Sequence, residues 1–186
     1  MTLTKTPICN FGKKASDFRL KSIENKLINL NDNKGDNGTL IMFICNHCPY
    51  VKAIIKSLTE DCEQLEKEGI NSVAIMSNDT KKFPEDSFEK MISFAKNNNF
   101  NNIQYLIDET QEVAKEYGAV CTPDFFGYNK NLELQYRGRL RELRKFIPVK
   151  DGESDLLTAM RQIAETGKGP EDQIPSAGCG IKGKYD

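Results

Sequence analysis

The stretch Leu40-Ile41-Met42-Phe43-Ile44-Cys45-Asn46-His47-Cys48-Pro49 decides the fold of this chain. Its first five residues are apolar, as is typical of a strand buried on both faces of a sheet. Apolar side chains then recur at helical spacing from Val51 to Leu65, and Pro49 suits the first turn of a helix. The stretch therefore predicts a Cys-x-x-Cys pair where a buried strand ends and a helix begins, an arrangement that indicates redox chemistry.

The start of that helix favours ionised sulfur. Backbone N–H groups there lack partners and carry a partial positive charge, and both properties stabilise a thiolate. We expect Cys45 to precede the helix, to lie nearer solvent and to have a pKa well below about 8.5, which makes it the predicted attacking thiol. Cys48 is the predicted resolving thiol. His47, the only histidine, would add a positive charge beside Cys45 when protonated.

The composition excludes several classes of function. The chain has 186 residues, with 26 Lys and Arg against 27 Asp and Glu, so its net charge is −1 and we expect no nucleic-acid partner. Apolar runs reach about five residues, far short of the roughly 20 that span a bilayer, so no membrane partner is expected. The first residues show no signal-peptide pattern, which predicts a cytoplasmic protein with reduced thiols.

Outside the opening stretch, the hydrophobic pattern predicts alternating strands and helices. Strands are expected at 39–44, 70–76 and 103–107, helices at 49–67, 84–97, 110–117 and 155–165, and hairpins within 17–30 and 122–137. This order requires crossover connections and a sheet covered by helices on both faces. We therefore predict one α/β domain over residues 1–186, with a core at 12–166, an N-terminal β-hairpin and an irregular Gly/Pro-rich tail at 167–186.

The order of elements, the Cys-x-x-Cys pair and the late Thr122-Pro123 pair resemble the thioredoxin fold. Three blocks are similar to peroxiredoxin-like proteins of the alkyl hydroperoxide reductase/thiol-specific antioxidant branch, namely Ile44 to Val51, Tyr117 to Phe126 and Tyr136 to Gly138. The resemblance implies a central mixed β-sheet flanked by helices. It also implies a cis Pro123 beside the thiols, with the backbone of Thr122 free to pair with an extended substrate strand.

The chain departs from both families in the residues that assist sulfur chemistry. Thioredoxin carries a buried carboxylate in the strand before its motif, but residues 39–44 contain no Asp or Glu, so no local base for Cys48 is apparent. A peroxiredoxin needs Pro-x-x-x-Thr-x-x-Cys, and neither Cys45 nor Cys48 fits this pattern. The sequence therefore favours a thiol–disulfide oxidoreductase that uses the Cys45–Cys48 dithiol, needs no organic cofactor and acts on a protein or small-molecule disulfide, with an upstream thiol as reductant.

Two alternatives to this function stay open. One is a peroxiredoxin-like peroxide reductase that uses Cys45, with Cys48 or Cys179 as the resolving thiol. The other is a copper- or zinc-binding protein, because Cys45, His47, Cys48 and Cys121 offer soft and borderline ligands. The lack of a second Cys/His pair with short spacing argues against a structural zinc site.

The other cysteines and three arginines near the last strand allow more than one role. Cys121, next to Thr122 and Pro123, is either a third redox thiol, a metal or substrate contact, or simply a small residue at a strand start. Cys62 is expected in the core, Cys9 outside it, and Cys179 in a mobile tail, more as a bystander than as a resolving thiol. Three arginines near the last strand either bind an acidic substrate or form a solvated edge that deters aggregation; they are Arg137, Arg139 and Arg141.

Overall fold

The computed structural model describes residues 3–183. The strands are β1 (Leu3–Lys5), β2 (Arg19–Ser22), β3 (Leu27–Asn29), β4 (Gly38–Phe43), β5 (Ile70–Met76), β6 (Ile103–Ile107), β7 (Cys121–Thr122), β8 (Asp124–Tyr128), β9 (Leu134–Tyr136), β10 (Leu143–Arg144), β11 (Ile147–Pro148) and β12 (Ala177–Gly180). The helices are α1 (Leu30–Asn33), α2 (Pro49–Lys67), α3 (Phe88–Asn97), α4 (Glu112–Tyr117) and α5 (Asp155–Thr166).

Seven strands form a central mixed sheet in the order β3-β2-β6-β5-β4-β8-β9. Strands β4, β5 and β6 are parallel, whereas β8 runs antiparallel to β4 and β2 antiparallel to β6. The predicted front hairpin is present as β2 and β3, with Arg19 opposite Asn29. This mixed α/β architecture confirms the thioredoxin-like fold class expected from the sequence.

Strand β4 lies at the centre of the molecule, as its apolar run predicts. Its side chains alternate between two clusters, with Leu40 and Met42 on one face and Ile41 and Phe43 on the other. Helices α2, α3 and α5 pack their apolar stripes on the first face, and α1 and α4 cover the second. Burial of both faces therefore holds rigid the strand that leads into the cysteines.

Three local predictions differ from the structure. The helix expected at 84–97 is divided into a 3₁₀ turn (Pro84–Asp86) and α3, because the Ser87 side chain accepts the N–H of Lys90 and begins a new helix. The loop expected before β4 contains the short helix α1. The short hairpin of β10 and β11, which the hydrophobic pattern did not indicate, follows the sheet.

The tail expected to be irregular contains β12, which pairs with β1 on one side and β7 on the other. The prediction failed because Ala177, Gly178, Cys179 and Gly180 carry little β-propensity of their own. Their strand geometry comes from two neighbouring strands that are remote in the sequence. No helix within residues 3–183 is both long and apolar enough to cross a membrane.

Candidate active site

The turn between β4 and α2 holds Cys45 and Cys48. Pro49 is the first residue of α2, where its missing N–H is of no consequence, and Cys48 is the N-cap residue. Both thiols are buried, with 1% of Cys45 and 0% of Cys48 exposed. The expectation that Cys45 lies nearer to solvent is therefore not confirmed. Cys48, not Cys45, lies directly at the helix N-terminus.

The surroundings of Cys48 stabilise its thiolate. Hydrogen bonding from the Cys45 thiol, followed by that from Thr122, the Val51 N–H and the Cys179 thiol, outweighs burial and lowers the pKa of Cys48 to about 5. Its sulfur lies 3.2 Å from the Cys179 sulfur and 3.2 Å from the carbonyl oxygen of Thr122, which accepts the S–H when Cys48 is protonated. At neutral pH the dithiol thus holds one proton.

That proton belongs to Cys45, contrary to the expectation of a lowered pKa there. The pKa of Cys45 is raised by its hydrogen bond to Cys48, by burial and by the negative charge of Asp86, although the Thr122 hydroxyl opposes these effects. The Cys45 sulfur lies 3.6 Å from the Thr122 Oγ1 and 3.9 Å from the His47 Nδ1. The sequence argument was wrong on this point because the hydrogen bond to Cys48 and the charge of Asp86, which the fold brings beside the motif, both favour the protonated form of Cys45.

His47 is held by a buried carboxylate that the sequence analysis missed. Its Nδ1 lies 2.7 Å from the Oδ2 of Asp86, and its ring stacks on Phe83 with the centroids 5.8 Å apart. Asp86 is 0% exposed and also accepts the Asn46 N–H at 2.8 Å and the Asn78 side-chain amide at 2.9 Å. Any positive charge on His47 is therefore offset by Asp86, so it acts less strongly on Cys45 than the sequence alone suggested.

The sequence contains no clear signal for the role of Asp86. It lies 38 residues beyond Cys48 in the chain, behind Pro84 and Glu85, in what looks like the first turn of a helix. Acidic residues are ordinary there because they complement the helix dipole. A buried carboxylate is thus supplied by the connection after β5, which only the fold brings beside His47.

The Thr122–Pro123 peptide bond is cis, as the resemblance implied. Thr122 contacts both thiols, through its hydroxyl to Cys45 and its carbonyl to Cys48. Its backbone is not free for a substrate strand, however, because β7 already pairs with β12, with Thr122 opposite Cys179. The position that we assigned to a substrate is filled by the chain's own tail.

Cys121 is buried next to Thr122, and its described hydrogen bond is to Pro123 and not to the dithiol. Its thiol donates to the carbonyl oxygen of Pro123 at 3.6 Å, and burial raises its pKa. Cys179, in contrast, is 4% exposed and touches Cys48, so it is not the mobile tail cysteine that we expected. Cys62 lies in the core on α2, where burial raises its pKa to about 12, and Cys9 is half-buried.

The three arginines do not share one exposed face. Arg137 is buried and donates to both carboxylate oxygens of Asp124, at 3.3 and 2.9 Å. Arg139 pairs with Asp155, and Arg141 donates to the carbonyl oxygen of Val149. Arg137 therefore belongs to the framework of the site, and the solvated-edge interpretation is wrong for it.

A groove of about 310 Å³ lies next to the cis-proline. Its walls include Tyr50, Pro123 and Phe125, with Arg139 and Arg141 on one side. A larger cavity of about 890 Å³ lies by β2 and α4, lined by Phe18 and Tyr117 of the opposite face of the sheet. The smaller groove adjoins Pro123, but neither cysteine of the dithiol is among its lining residues.

Within residues 3–183, one group of side chains has the spacing of a metal site. The Cys45 sulfur, the His47 Nδ1 and a carboxylate oxygen of Asp86 all lie within 4.8 Å of one another. The predicted ligand Cys121 is not in this group. The existing His47–Asp86 hydrogen bond would have to open for both groups to bind one ion, since they share the same interacting atoms.

Comparisons with known proteins agree with this architecture. The family model of the AhpC/TSA family matches residues 11–143. An uncharacterized conserved protein from Geobacillus kaustophilus has a crystal structure 39% identical in sequence, with a TM-score of 0.93 over 100% of this chain and 98% of that chain. A hypothetical protein from Sinorhizobium meliloti 1021 is 33% identical, with a TM-score of 0.89 over 100% of both chains.

A more distant structure shows only the fold. A secreted Mycobacterium tuberculosis disulfide oxidoreductase is 16% identical, with a TM-score of 0.56 over 69% of this chain and 88% of that chain. A comparison with curated protein sequences found no significant match. The family match over most of the chain, together with two full-length relatives above 30% identity, shows that this protein belongs to the AhpC/TSA family and has a thioredoxin fold.

Proposed function

We propose that the protein is a thiol–disulfide oxidoreductase whose redox centre is the Cys45–Cys48 dithiol. The observation that carries the proposal is that Thr122, which precedes the cis-proline, contacts both buried thiols, with its hydroxyl 3.6 Å from the Cys45 sulfur and its carbonyl oxygen 3.2 Å from the Cys48 sulfur. The surroundings of Cys48 lower its pKa to about 5, and a thiolate is the reactive form of cysteine. The family and the fold support redox chemistry in general.

In the first step, Cys45 attacks. The Cys48 thiolate accepts the proton of the Cys45 thiol, and the Cys45 sulfur forms a bond to one sulfur of a substrate disulfide while the other leaves as a thiolate. Cys48 contacts Cys45, Thr122 and Cys179, whereas Cys45 adjoins the ring of His47, whose side chain is 19% exposed. A disulfide that arrives from the side of His47 therefore meets Cys45 first.

In the second step, Cys48 resolves the mixed disulfide. Its proton returns to the leaving thiolate, either directly or through His47, which Asp86 holds in place, and its sulfur displaces the substrate sulfur from Cys45. The substrate gains two electrons and two protons, and the protein gains the Cys45–Cys48 disulfide. An upstream thiol, as found in a reducing cytoplasm, then reduces this disulfide, so the cycle needs no organic cofactor.

A second candidate, peroxide reduction, is favoured by the thiolate on Cys48 and by the family itself. In that reaction Cys48 attacks a peroxide oxygen, becomes a sulfenic acid and releases an alcohol or water; Cys45 then forms the disulfide and releases water. The roles of the two cysteines are thus reversed between the candidates, which makes them separable by mutation.

Single-cysteine variants test the proposal. Mixed with an oxidised small-molecule disulfide, Cys48→Ser should accumulate a covalent adduct on Cys45, and Cys45→Ser should lose exchange activity. The matched control is Cys62→Ser, a buried cysteine on α2 that should leave turnover unchanged. Mass spectrometry locates the adduct. An adduct on Cys48 in Cys45→Ser, with stoichiometric peroxide loss in the wild type, would replace the proposal with peroxide reduction.

A further inference from the structure

The tail strand β12 occupies the place beside the dithiol where we expected an extended substrate strand to bind. It pairs antiparallel with β7, with Cys179 opposite Thr122 and Gly180 opposite Cys121. Residue 178 approaches so closely that a Cβ there would lie 2.0 Å from the carbonyl oxygen of Thr122. Only glycine fits at that point. The close approach that Gly178 allows places the next residue, Cys179, in contact with Cys48.

Contacts on both sides hold this strand in place. Before it, the Ser176 hydroxyl donates to the carbonyl oxygen of Pro123 at 2.8 Å. After it, the Lys182 N–H donates to the Oδ1 of Asn78 at 2.8 Å, and the Lys182 carbonyl accepts the side-chain amide of Gln111 at 2.7 Å. Strand β1 covers its other edge, with Leu3 opposite Cys179. The tail cysteine is therefore positioned by the fold on the thiol pair.

The sulfur atoms are close enough to react. The Cys48 and Cys179 sulfurs are 3.2 Å apart, so a disulfide bond between them requires an approach of only about 1.2 Å. Burial and the hydrogen bond to Cys48 raise the pKa of Cys179 to about 12, so in the reduced protein it is the proton donor and Cys48 the acceptor. Cys48 thus has a potential disulfide partner on each side, Cys45 and Cys179.

We propose that Cys179 is a third redox thiol that attacks Cys48 in the Cys45–Cys48 disulfide and forms an internal Cys48–Cys179 disulfide. The Cys179 sulfur bonds to the Cys48 sulfur, the Cys45–Cys48 bond breaks, and the proton lost by Cys179 is taken up by the leaving Cys45 thiolate. One sulfur–sulfur bond replaces another, so no oxidant is consumed. The step rests on the proposed function, because it begins from the disulfide which that function produces.

The exchange would return Cys45 to the thiol form while the oxidised pair stays buried beneath β12. Cys45 is the thiol that meets substrate in the proposed cycle, so it becomes available again before an external reductant has acted. A strand of the substrate need not displace the tail, because the tail itself completes the edge of β7. In this proposal the tail takes part in the redox reaction through Cys179.

Peptide mapping of the full-length protein tests this inference. Cleavage after lysine places Cys45 and Cys48 together on residues 35–52, Cys121 on residues 116–130 and Cys179 on residues 169–182. A Cys45–Cys48 bond is then a loop within one peptide, whereas a Cys48–Cys179 bond joins two peptides. The protein is oxidised with one equivalent of oxidised glutathione, its remaining thiols are alkylated, and the peptides are identified by mass spectrometry.

The expected result is that 35–52 is joined to 169–182 through Cys48, with Cys45 alkylated. Cys45→Ser should form no cross-link, because it lacks the Cys45–Cys48 disulfide from which the step begins, and Cys179→Ser should form only the loop. The matched control is Cys121→Ser, an equally buried neighbour on β7 that should leave the cross-link unchanged. A wild-type protein with the loop alone would overturn the inference but leave the proposed function intact. The absence of both bonds would overturn the proposed function itself.

Discussion

Two buried carboxylates flank the redox centre, and their partners differ. Asp124 follows the cis-proline and is held by the guanidinium of Arg137, with the Val120 N–H as a further donor. Among residues 3–183 no arginine pairs with Asp86, which accepts the Asn46 N–H and the Asn78 side-chain amide and lies 2.7 Å from the His47 Nδ1. Both side chains are 0% exposed.

The partner decides what each carboxylate can do. A guanidinium stays protonated at every relevant pH, so Arg137 and Asp124 form a fixed ion pair. Burial raises the pKa of Asp124, while the hydrogen bonds and charge of Arg137 lower it. The ring of His47, in contrast, lies 2.7 Å from Asp86 and 3.9 Å from the Cys45 sulfur. The Arg137–Asp124 pair is therefore expected to contribute to stability, and the His47–Asp86 pair to the proposed reaction.

The largest effect is expected on the Asp124 side. Arg137→Met leaves the Asp124 charge buried without a partner, which should lower the free energy of unfolding by about 3–5 kcal/mol. Urea denaturation followed by circular dichroism measures the loss. The double variant Asp124→Leu/Arg137→Met should recover part of it, because no buried charge remains. A loss below about 1 kcal/mol would show that this pair contributes no more than a surface ion pair. The contrast between the Asp124 side and the Asp86 side would then not hold.

A smaller effect, on rate instead of stability, is expected on the Asp86 side. Asp86→Asn removes the charge that orients His47, and disulfide exchange should slow by about a hundredfold. The same change should lower the pKa of Cys45, because the negative charge of Asp86 contributes to its rise. Stopped-flow thiol exchange across the pH range measures both. The neighbouring exposed carboxylate offers a control, and Glu85→Gln should change neither quantity. Equal rates in the two variants would remove Asp86 from the mechanism.

Acid should act on the dithiol before it acts on the fold. The pKa of Cys48 is lowered from 9.0 to about 5, so its thiolate is present above pH 5 and is lost as the pH falls through this value. At about pH 4 the thiolate fraction, and with it the exchange rate, should be roughly tenfold lower than at neutral pH. Ultraviolet absorbance of the thiolate follows the titration, with circular dichroism to confirm that the protein stays folded. A midpoint near 9 would show that the site does not activate Cys48.

The smallest effect is expected from the ring that stacks on His47. Phe83 lies 5.8 Å from the imidazole at an interplanar angle of 3°, and such a contact is worth about 0.5–1.5 kcal/mol. Phe83→Ala should therefore slow exchange by about two- to tenfold, whereas Phe83→Tyr, which keeps the stacking face, should not. An Ala variant as fast as the wild type would mean that Asp86 alone positions His47.

Much of the fold could be predicted because its signals are local. The apolar run of β4, the periodicity of α2 and the helix-starting Pro49 are short-range patterns, and each corresponds to an element that the structure contains. The elements that could not be predicted, such as β7 and β12, are two to four residues long. Strands of that length depend on their neighbours and leave little trace in the sequence.

The candidate site divides in the same way. The Cys-x-x-Cys pair, the adjacent His47 and the cis-proline could be named from contiguous residues and a family resemblance. The balance of charge between the two thiols could not, because it depends on burial, on hydrogen bonds from Thr122 and Cys179 to Cys48, and on the charge of Asp86 near Cys45.

Contiguous sequence thus indicated the Cys-x-x-Cys pair, the family and the layered α/β architecture, because hydrophobic periodicity and a short motif act over a few residues. The tertiary structure decided that the pKa of Cys48 is lowered and that of Cys45 raised, that Asp86 pairs with His47, and that the tail lies on the two cysteines. These outcomes bring the turn at Cys45–Cys48 beside residues far along the chain, namely Asp86 and Cys179. Electrostatic and hydrogen-bond effects depend on distances of a few ångströms in space, and only the folded chain sets those distances.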